Sequence, residues 1–128
     1  MVRYTGHIGL RQIVLAMFIL ILGLVVQIFP ATAGEMKKFT LVNVLIDKTK
    51  IWLPSSITVY EGDEVEITLD NKLTAPHGFK LAAYDIEVEV PSLKKRTVHF
   101  TAKSAGVYPF ICQLHAPHIG GQIVVLSK

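Results

Sequence analysis

Cysteine is nearly absent from this 128-residue sequence, because Cys112 is the only one. The chain therefore has no internal disulfide bond, although small exported domains often depend on disulfides for stability. Methionine is also scarce, and Met1, Met17 and Met36 all lie far from the cysteine in sequence. The sequence has no glycine-rich phosphate loop and no G-x-S-x-G elbow, which argues against nucleotide binding and α/β-hydrolase chemistry.

Beyond residue 33 the chain carries no large excess of positive or negative charge. Two of the 13 Lys and Arg residues precede that point, which leaves 11 against 10 Asp and Glu residues. The remaining charges are dispersed, and the only basic cluster is the short run at residues 94–96. A nucleic-acid-binding domain usually carries a basic stripe, so we expect no nucleic-acid partner.

Residues 13–28 form the one long uncharged run in the sequence. Two arginines precede this run, and an A-x-A pattern at residues 31–33 follows it. This order is typical of a secretory signal peptide, and an uncleaved membrane anchor is the alternative, with possible membrane association through the apolar run. We therefore divide the chain into a signal or anchor at 1–33 and an exported domain at 34–128, which is periplasmic or otherwise extracytoplasmic.

The remainder of the chain has the pattern of short β-strands. Residues 64–70 alternate strictly, with Val65, Ile67 and Leu69 on one face, and period-two alternation marks a strand with one buried face. Residues 97–101 alternate as well, which predicts that His99 points to solvent. The predicted strands are 39–46, 57–60, 64–70, 77–81, 97–101, 105–112 and 122–126. With no amphipathic helix of convincing length, the sequence predicts an all-β, antiparallel Greek-key sandwich or barrel.

Potential metal ligands are concentrated around the cysteine. Cys112, His115 and His118 lie within seven residues, and a loop after the strand at 64–70 delivers His77. Thiolate and neutral imidazole suit copper and zinc, and a His2Cys set with a weak fourth ligand is the pattern of copper electron-transfer sites. The simpler alternative is that Cys112 is an inert buried thiol.

The order of these segments resembles the cupredoxin family of small copper proteins. The resemblance covers roughly residues 54–126 and is carried by the strand-turn-strand at 57–65, Asn71, the segment 76–79, the run from 105 to 115 and the closing strand at 121–125. It implies that His77, Cys112 and His115 are the main ligands of one copper ion that cycles between Cu(I) and Cu(II). The run 112–115, with Phe79 upstream, is most similar to nitrosocyanin-like cupredoxins.

Several positions depart from the family pattern. Blue-copper members have a methionine shortly after the second histidine, whereas this chain has His118, six residues after the cysteine. Nitrosocyanin carries glutamate where this chain has His77, and its last histidine falls where this chain has Gly120. Ala116 excludes the dinuclear copper site, which needs a second cysteine there. Gly78 replaces the asparagine that usually follows the upstream ligand.

His118 therefore determines which kind of site the sequence predicts. If His118 binds copper as a fourth ligand, we expect a red or green centre; if it does not, we expect a blue centre with His118 on the rim where an electron partner docks. The leading function is a one-electron carrier, rather than an enzyme, that serves a redox partner protein. The alternatives are an open copper site that binds or converts a small molecule such as nitric oxide, and periplasmic copper delivery.

Overall fold

Alternating apolar and polar residues build most of the strands in the computed structural model, which describes residues 36–128. The ten strands in this part of the chain are β1 Met36–Ile46, β2 Thr49–Leu53, β3 Ser56–Tyr60, β4 Glu64–Asn71, β5 His77–Leu81, β6 Ile86–Val90, β7 Lys95–Thr101, β8 Gly106–Phe110, β9 His118–Ile119 and β10 Gly121–Leu126. A single short 3-10 turn, Ala82–Tyr84, joins β5 to β6. The described residues are therefore almost entirely β, as the sequence predicts.

Five strands form the first sheet, in the order β7-β4-β1-β2-β9. β1 lies at the centre of this sheet, parallel to β4 and antiparallel to β2. The short strand β9 extends the sheet at its edge by pairing in parallel with β2, where His118 lies opposite Lys50. This pairing places His118 on the sheet and not in a free loop.

The second layer combines a three-stranded and a two-stranded sheet, in the orders β3-β10-β8 and β5-β6. Lys80 and Ile111 join them: the Lys80 N–H donates to the Ile111 carbonyl at 2.8 Å, and the Ile111 N–H donates back at 3.0 Å. Because Ile111 directly precedes the cysteine and Lys80 lies three residues after His77, these two bonds bring both segments to the same place.

The hydrophobic core lies between the two layers and confirms the predicted sandwich. Its side chains come from alternate positions of both layers, as sheet-on-sheet packing requires. The buried apolar residues are Leu41, Trp52, Ile57, Val59, Val65, Ile67, Leu69, Phe79, Leu81, Val90, Val98, Phe100, Ala102, Phe110, Ile123 and Val125. The predicted buried face of β4 is confirmed, and so is the outward orientation of His99, whose side chain is 60% exposed.

The sequence pattern missed three strands, β2, β6 and β9. β2 follows β1 through a two-residue turn in which Asp47 and Lys48 both have positive φ angles, of 45° and 67°. Such turns normally carry Asn-Gly or Asp-Gly, so a turn without glycine gave no hairpin signal. β9 is only two residues long and depends on its partner strand.

The proposed signal or anchor at 1–33, including the apolar run 13–28, lies outside the described residues. Among residues 36–128, no helix has the length and apolar character needed to cross a membrane.

Candidate metal centre

His77 is the first residue of β5 and is completely buried. Pairing between His77 and Val90 of β6 fixes its backbone position. Its Nδ1 atom lies 3.8 Å from the sulfur of Cys112. Two residues separated by 35 positions in the sequence are thus brought together at one end of the sandwich.

Cys112 follows the end of β8 and is partly buried. The backbone N–H of Gly78 donates to its sulfur at 3.2 Å. A donor aimed at sulfur stabilises negative charge there, as a metal-binding thiolate requires. The upstream ligand segment thus also holds the cysteine side chain.

His118 completes a compact group with these two residues. One potential ligand atom from each of His77, Cys112 and His118 lies within 4.8 Å of the others. The ring of His118 packs 5.1 Å from that of His77, centroid to centroid. The structure therefore brings together three of the four predicted site residues, from β5, from the segment after β8 and from β9.

His115 lies beside this group but outside its tightest part. Its ring centroid is 4.8 Å from that of His77. The Nδ1 atom of His115 is buried and has no hydrogen-bond partner among the described residues. Binding of copper by His77, Cys112, His115 and His118 stays a prediction that rests on this proximity.

The donors present fit a copper ion by their chemistry. One thiolate and several imidazoles form the soft and borderline set that copper and zinc prefer. Two imidazole nitrogens, His77 Nε2 and His115 Nδ1, are buried without a partner among residues 36–128. Buried polar atoms normally have a partner. A metal ion between these rings would provide a partner for a ring nitrogen that carries a lone pair.

Burial favours the neutral form of the His77 and His118 imidazoles. Desolvation is the main cause that lowers the pKa of His77 to about 4, and the nearby His118, His115 and Lys50 lower it further. Burial also lowers the pKa of His118, partly opposed by a hydrogen bond to Ile119. A metal binds only the neutral imidazole, so these rings are in the binding form at neutral pH without the ion.

Two buried asparagines support the His118 ring. The Nε2 atom of His118 lies 3.0 Å from Oδ1 of Asn43 on β1, and Nδ2 of Asn43 donates to Oδ1 of Asn71 at 3.1 Å. Both asparagines are fully buried. Asn71 is part of the family pattern in the sequence, whereas no local motif distinguishes Asn43.

Gln113 occupies the space beside Gly78. A Cβ atom added at position 78 would overlap the carboxamide of Gln113. The Nε2 atom of Gln113 donates to the carbonyl of Val88 on β6 at 3.3 Å, which ties the cysteine loop to the neighbouring sheet. Gln113 therefore links the cysteine loop to β6 across the space beside Gly78.

Trp52 packs beside the site. Its role could not be predicted from the sequence, because β2 was missed. Its indole N–H donates to the carbonyl of Gly78 at 3.2 Å. Its ring packs edge-on against Phe79 and lies 6.2 Å from the ring of His118. One buried aromatic residue thus contacts the segments that carry two of the candidate ligands.

Comparison with protein families matches residues 15–125 to the cupredoxin-like domain. Solved structures with the same fold include a copper nitrite reductase from Nitrosomonas europaea, with 21% identity and a TM-score of 0.64. They also include a blue copper oxidase from Nitrosomonas europaea, at 22% and 0.58, and the multicopper oxidase mgLAC, at 18% and 0.61. Each covers 73% of this chain, while the chain spans only 42%, 40% and 39% of their respective lengths. At these identities the likeness concerns the fold.

Proposed function

Because the chain belongs to the cupredoxin family, we propose that it is a mononuclear copper protein that carries single electrons. The observation that carries this proposal is the convergence of His77, Cys112 and His118 within 4.8 Å. The cupredoxin domain and this cluster together point to copper binding. A bound copper ion would supply the one-electron couple, and the side chains around it would keep its surroundings constant.

The rigidity of the site suits electron transfer. His77 is held by strand pairing, Cys112 by the Gly78 N–H, and His118 by Asn43 and the β2–β9 pairing. Ligand side chains that are locked by packing and by hydrogen bonds change little between two charge states. This arrangement favours a carrier over a site that must reorganise during a reaction.

The kind of copper centre follows from the fourth donor. We propose that His77, Cys112, His115 and His118 all bind, which gives three imidazoles and one thiolate. An imidazole in place of a thioether draws copper toward a tetragonal geometry and favours a red or green colour. The proposal includes the nitrosocyanin-like character suggested by the run at residues 112–115.

Absorption and EPR spectra of the copper(II)-loaded chain test this proposal. We expect an intense thiolate-to-copper band that is shifted from that of blue proteins and disappears in Cys112→Ser. The control His99→Ala, at an exposed histidine outside the site, should leave the spectrum unchanged. Colour that survives Cys112→Ser would contradict the site assignment, and a single blue-type band would contradict a third imidazole as the fourth ligand.

A second candidate function is an open copper site that binds or converts a small molecule. It is favoured by the position of His115 beside the compact group and not within it. If His115 leaves a coordination position free, azide or nitric oxide should shift the copper(II) spectrum at low concentration. An unchanged spectrum at saturating azide would favour the closed carrier site.

The working location is proposed to be extracytoplasmic, with a redox protein as partner and with residues 13–28 as a possible anchor. The basis is the charge and apolar pattern at 1–33. Fractionation of cells that express the full chain, followed by N-terminal sequencing, tests it. Recovery of intact chain in the cytoplasm would contradict export, and an intact chain in the membrane fraction would favour the anchor over the cleaved signal.

A further inference from the structure

Asn71 has a fixed amide orientation because of its neighbours. Its Oδ1 accepts the backbone N–H of Leu73 at 3.0 Å. Its Nδ2 faces the carbonyl oxygens of Ala75, Val90 and Pro91 at 2.8, 3.2 and 3.2 Å. An amide turned by 180° would place oxygen against three carbonyls and NH2 against an N–H. Of the two orientations, the one with Oδ1 toward Leu73 is therefore the one that avoids contacts between two acceptors or two donors.

This orientation fixes the amide of Asn43 in turn. Oδ1 of Asn71 is an acceptor and lies 3.1 Å from the Asn43 side chain, so Asn43 must present its NH2 group there. The oxygen of Asn43 then faces Nε2 of His118 at 3.0 Å. An amide oxygen accepts only, so His118 must carry a proton on Nε2 to make this bond.

His118 has a competing acceptor at its other nitrogen. Its Nδ1 lies 3.1 Å from the carbonyl of Ile119. A neutral ring has one N–H and makes only one of the two bonds. Asn43 is fully buried, whereas Ile119 is 50% exposed. Loss of the bond to Asn43 would leave a buried oxygen unpaired, which is the more costly outcome.

We propose that Asn43 is a positioning residue that holds His118 in the Nε2–H form and so presents Nδ1 to the metal. This inference rests on the proposed role of His118 as the fourth ligand. The chain of bonds ends at Ala75, in the loop that leads into His77. Asn43 and Asn71 thus tie the two ligand-bearing segments to one buried support.

Long-range ¹H–¹⁵N NMR of the histidine rings in the metal-free full chain tests the inference directly. With the His118 signals assigned by comparison with His118→Ala, we expect a protonated Nε2 and a bare Nδ1. In Asn43→Leu, which is close in size and has no acceptor, the proton should move to Nδ1 in a large fraction of molecules. A wild-type ring protonated on Nδ1 would overturn the inference.

Copper binding supplies the second readout. Asn43→Leu should weaken copper(II) binding about tenfold in competition with a chelator, since partners behind a ligand are typically worth about 10- to 100-fold in affinity. Its spectrum should move toward that of His118→Ala. Val65→Ala, a core truncation on β4 outside this bond network, controls for loss of stability alone and should leave both the tautomer and the spectrum unchanged.

The outcomes separate the two proposals. If His118→Ala leaves the copper spectrum unchanged, the fourth ligand is wrong, and the role of Asn43 at the metal is overturned with it. If His118→Ala changes the spectrum while Asn43→Leu alters neither spectrum nor tautomer, only the inference about Asn43 is overturned. If Val65→Ala reproduces the effects of Asn43→Leu, the effects reflect stability, which also overturns the positioning role.

Discussion

At the scale of single residues, the side chain of Gln113 occupies the space next to Gly78. The carboxamide of Gln113 fills the volume that a side chain at position 78 would need, and it also bonds to β6. The tightness of this contact implies that the two positions are energetically coupled, since residues in contact rarely have additive effects.

A double-mutant cycle tests this coupling. Gly78→Ala forces a methyl group into the Gln113 side chain, and overpacking of this kind costs about 1–3 kcal/mol. In the Gln113→Ala background the same methyl group has room, so we expect the cost of Gly78→Ala to fall by about 1 kcal/mol or more. Urea unfolding of the four proteins, all without metal, measures the free energies. Strictly additive values would show that Gln113 simply rotates away.

At the scale of elements, ion pairs of Asp70 link the end of β4 to Lys72 and to β7. Its carboxylate pairs with Lys72 at 2.9 Å and with Lys95 of β7 at 3.2 Å. These two lysines, the Lys72 hydrogen bond first, lower the pKa of Asp70 below its ordinary value of 3.8 although burial opposes them. The ionised carboxylate therefore stabilises the folded state.

The sign of the pH dependence follows from this lowered pKa. The stabilisation is complete above the unfolded value of 3.8 and is lost as the pH falls through the folded pKa. Asp70→Asn should therefore be less stable than the wild type at about pH 7, by about 1 kcal/mol, and the difference should shrink below pH 3.8. Denaturant unfolding at several pH values measures it, with the exposed Glu89→Gln as control. A difference that persists at about pH 2 would point to packing and not to charge.

Most strands with clear alternation could be predicted from the sequence, although β6 was missed despite its five alternating residues. Strands that depend on a partner could not be predicted. β4 alternates over seven residues and β7 over five, and both were identified. β2 was missed because its turn uses Asp47 and Lys48 in place of glycine, and β9 because two residues hold no period. The same limit applies to the site. The Cys and His residues can be recognised as potential ligands from their residue type alone, whereas the roles of Asn43 and Trp52 depend on long-range contacts in the folded chain.

At the scale of the whole molecule, the candidate ligands come from segments that only the folded sandwich brings together. His77 begins β5, Cys112 follows β8, and His118 lies on the edge of the other sheet. The unfolded chain scatters these donors, so an ion that binds the folded site must stabilise the entire fold by linkage.

Copper should therefore raise the unfolding temperature. With free copper about 100-fold above Kd, the added stability is about 2.7 kcal/mol, which calorimetry of the loaded and metal-free chain would detect as a shift of several degrees. Cys112→Ser should lose most of this shift, and His99→Ala should retain it. An equal shift in Cys112→Ser would indicate that copper stabilises the chain from a different site.

The shared space at Gly78 and Gln113 also constrains how such a site changes during evolution. If position 78 is enlarged before position 113 is shortened, the intermediate sequence is overcrowded at this contact. In the reverse order, the intermediate has a small gap, and the Val88 carbonyl has lost its bond to Gln113. The overlapping atoms belong to the end of the flexible Gln113 side chain, so a larger residue at position 78 displaces that carboxamide from its place beside β6. Related sequences should therefore pair glycine at 78 with a long side chain at 113, and a larger residue at 78 with a short one.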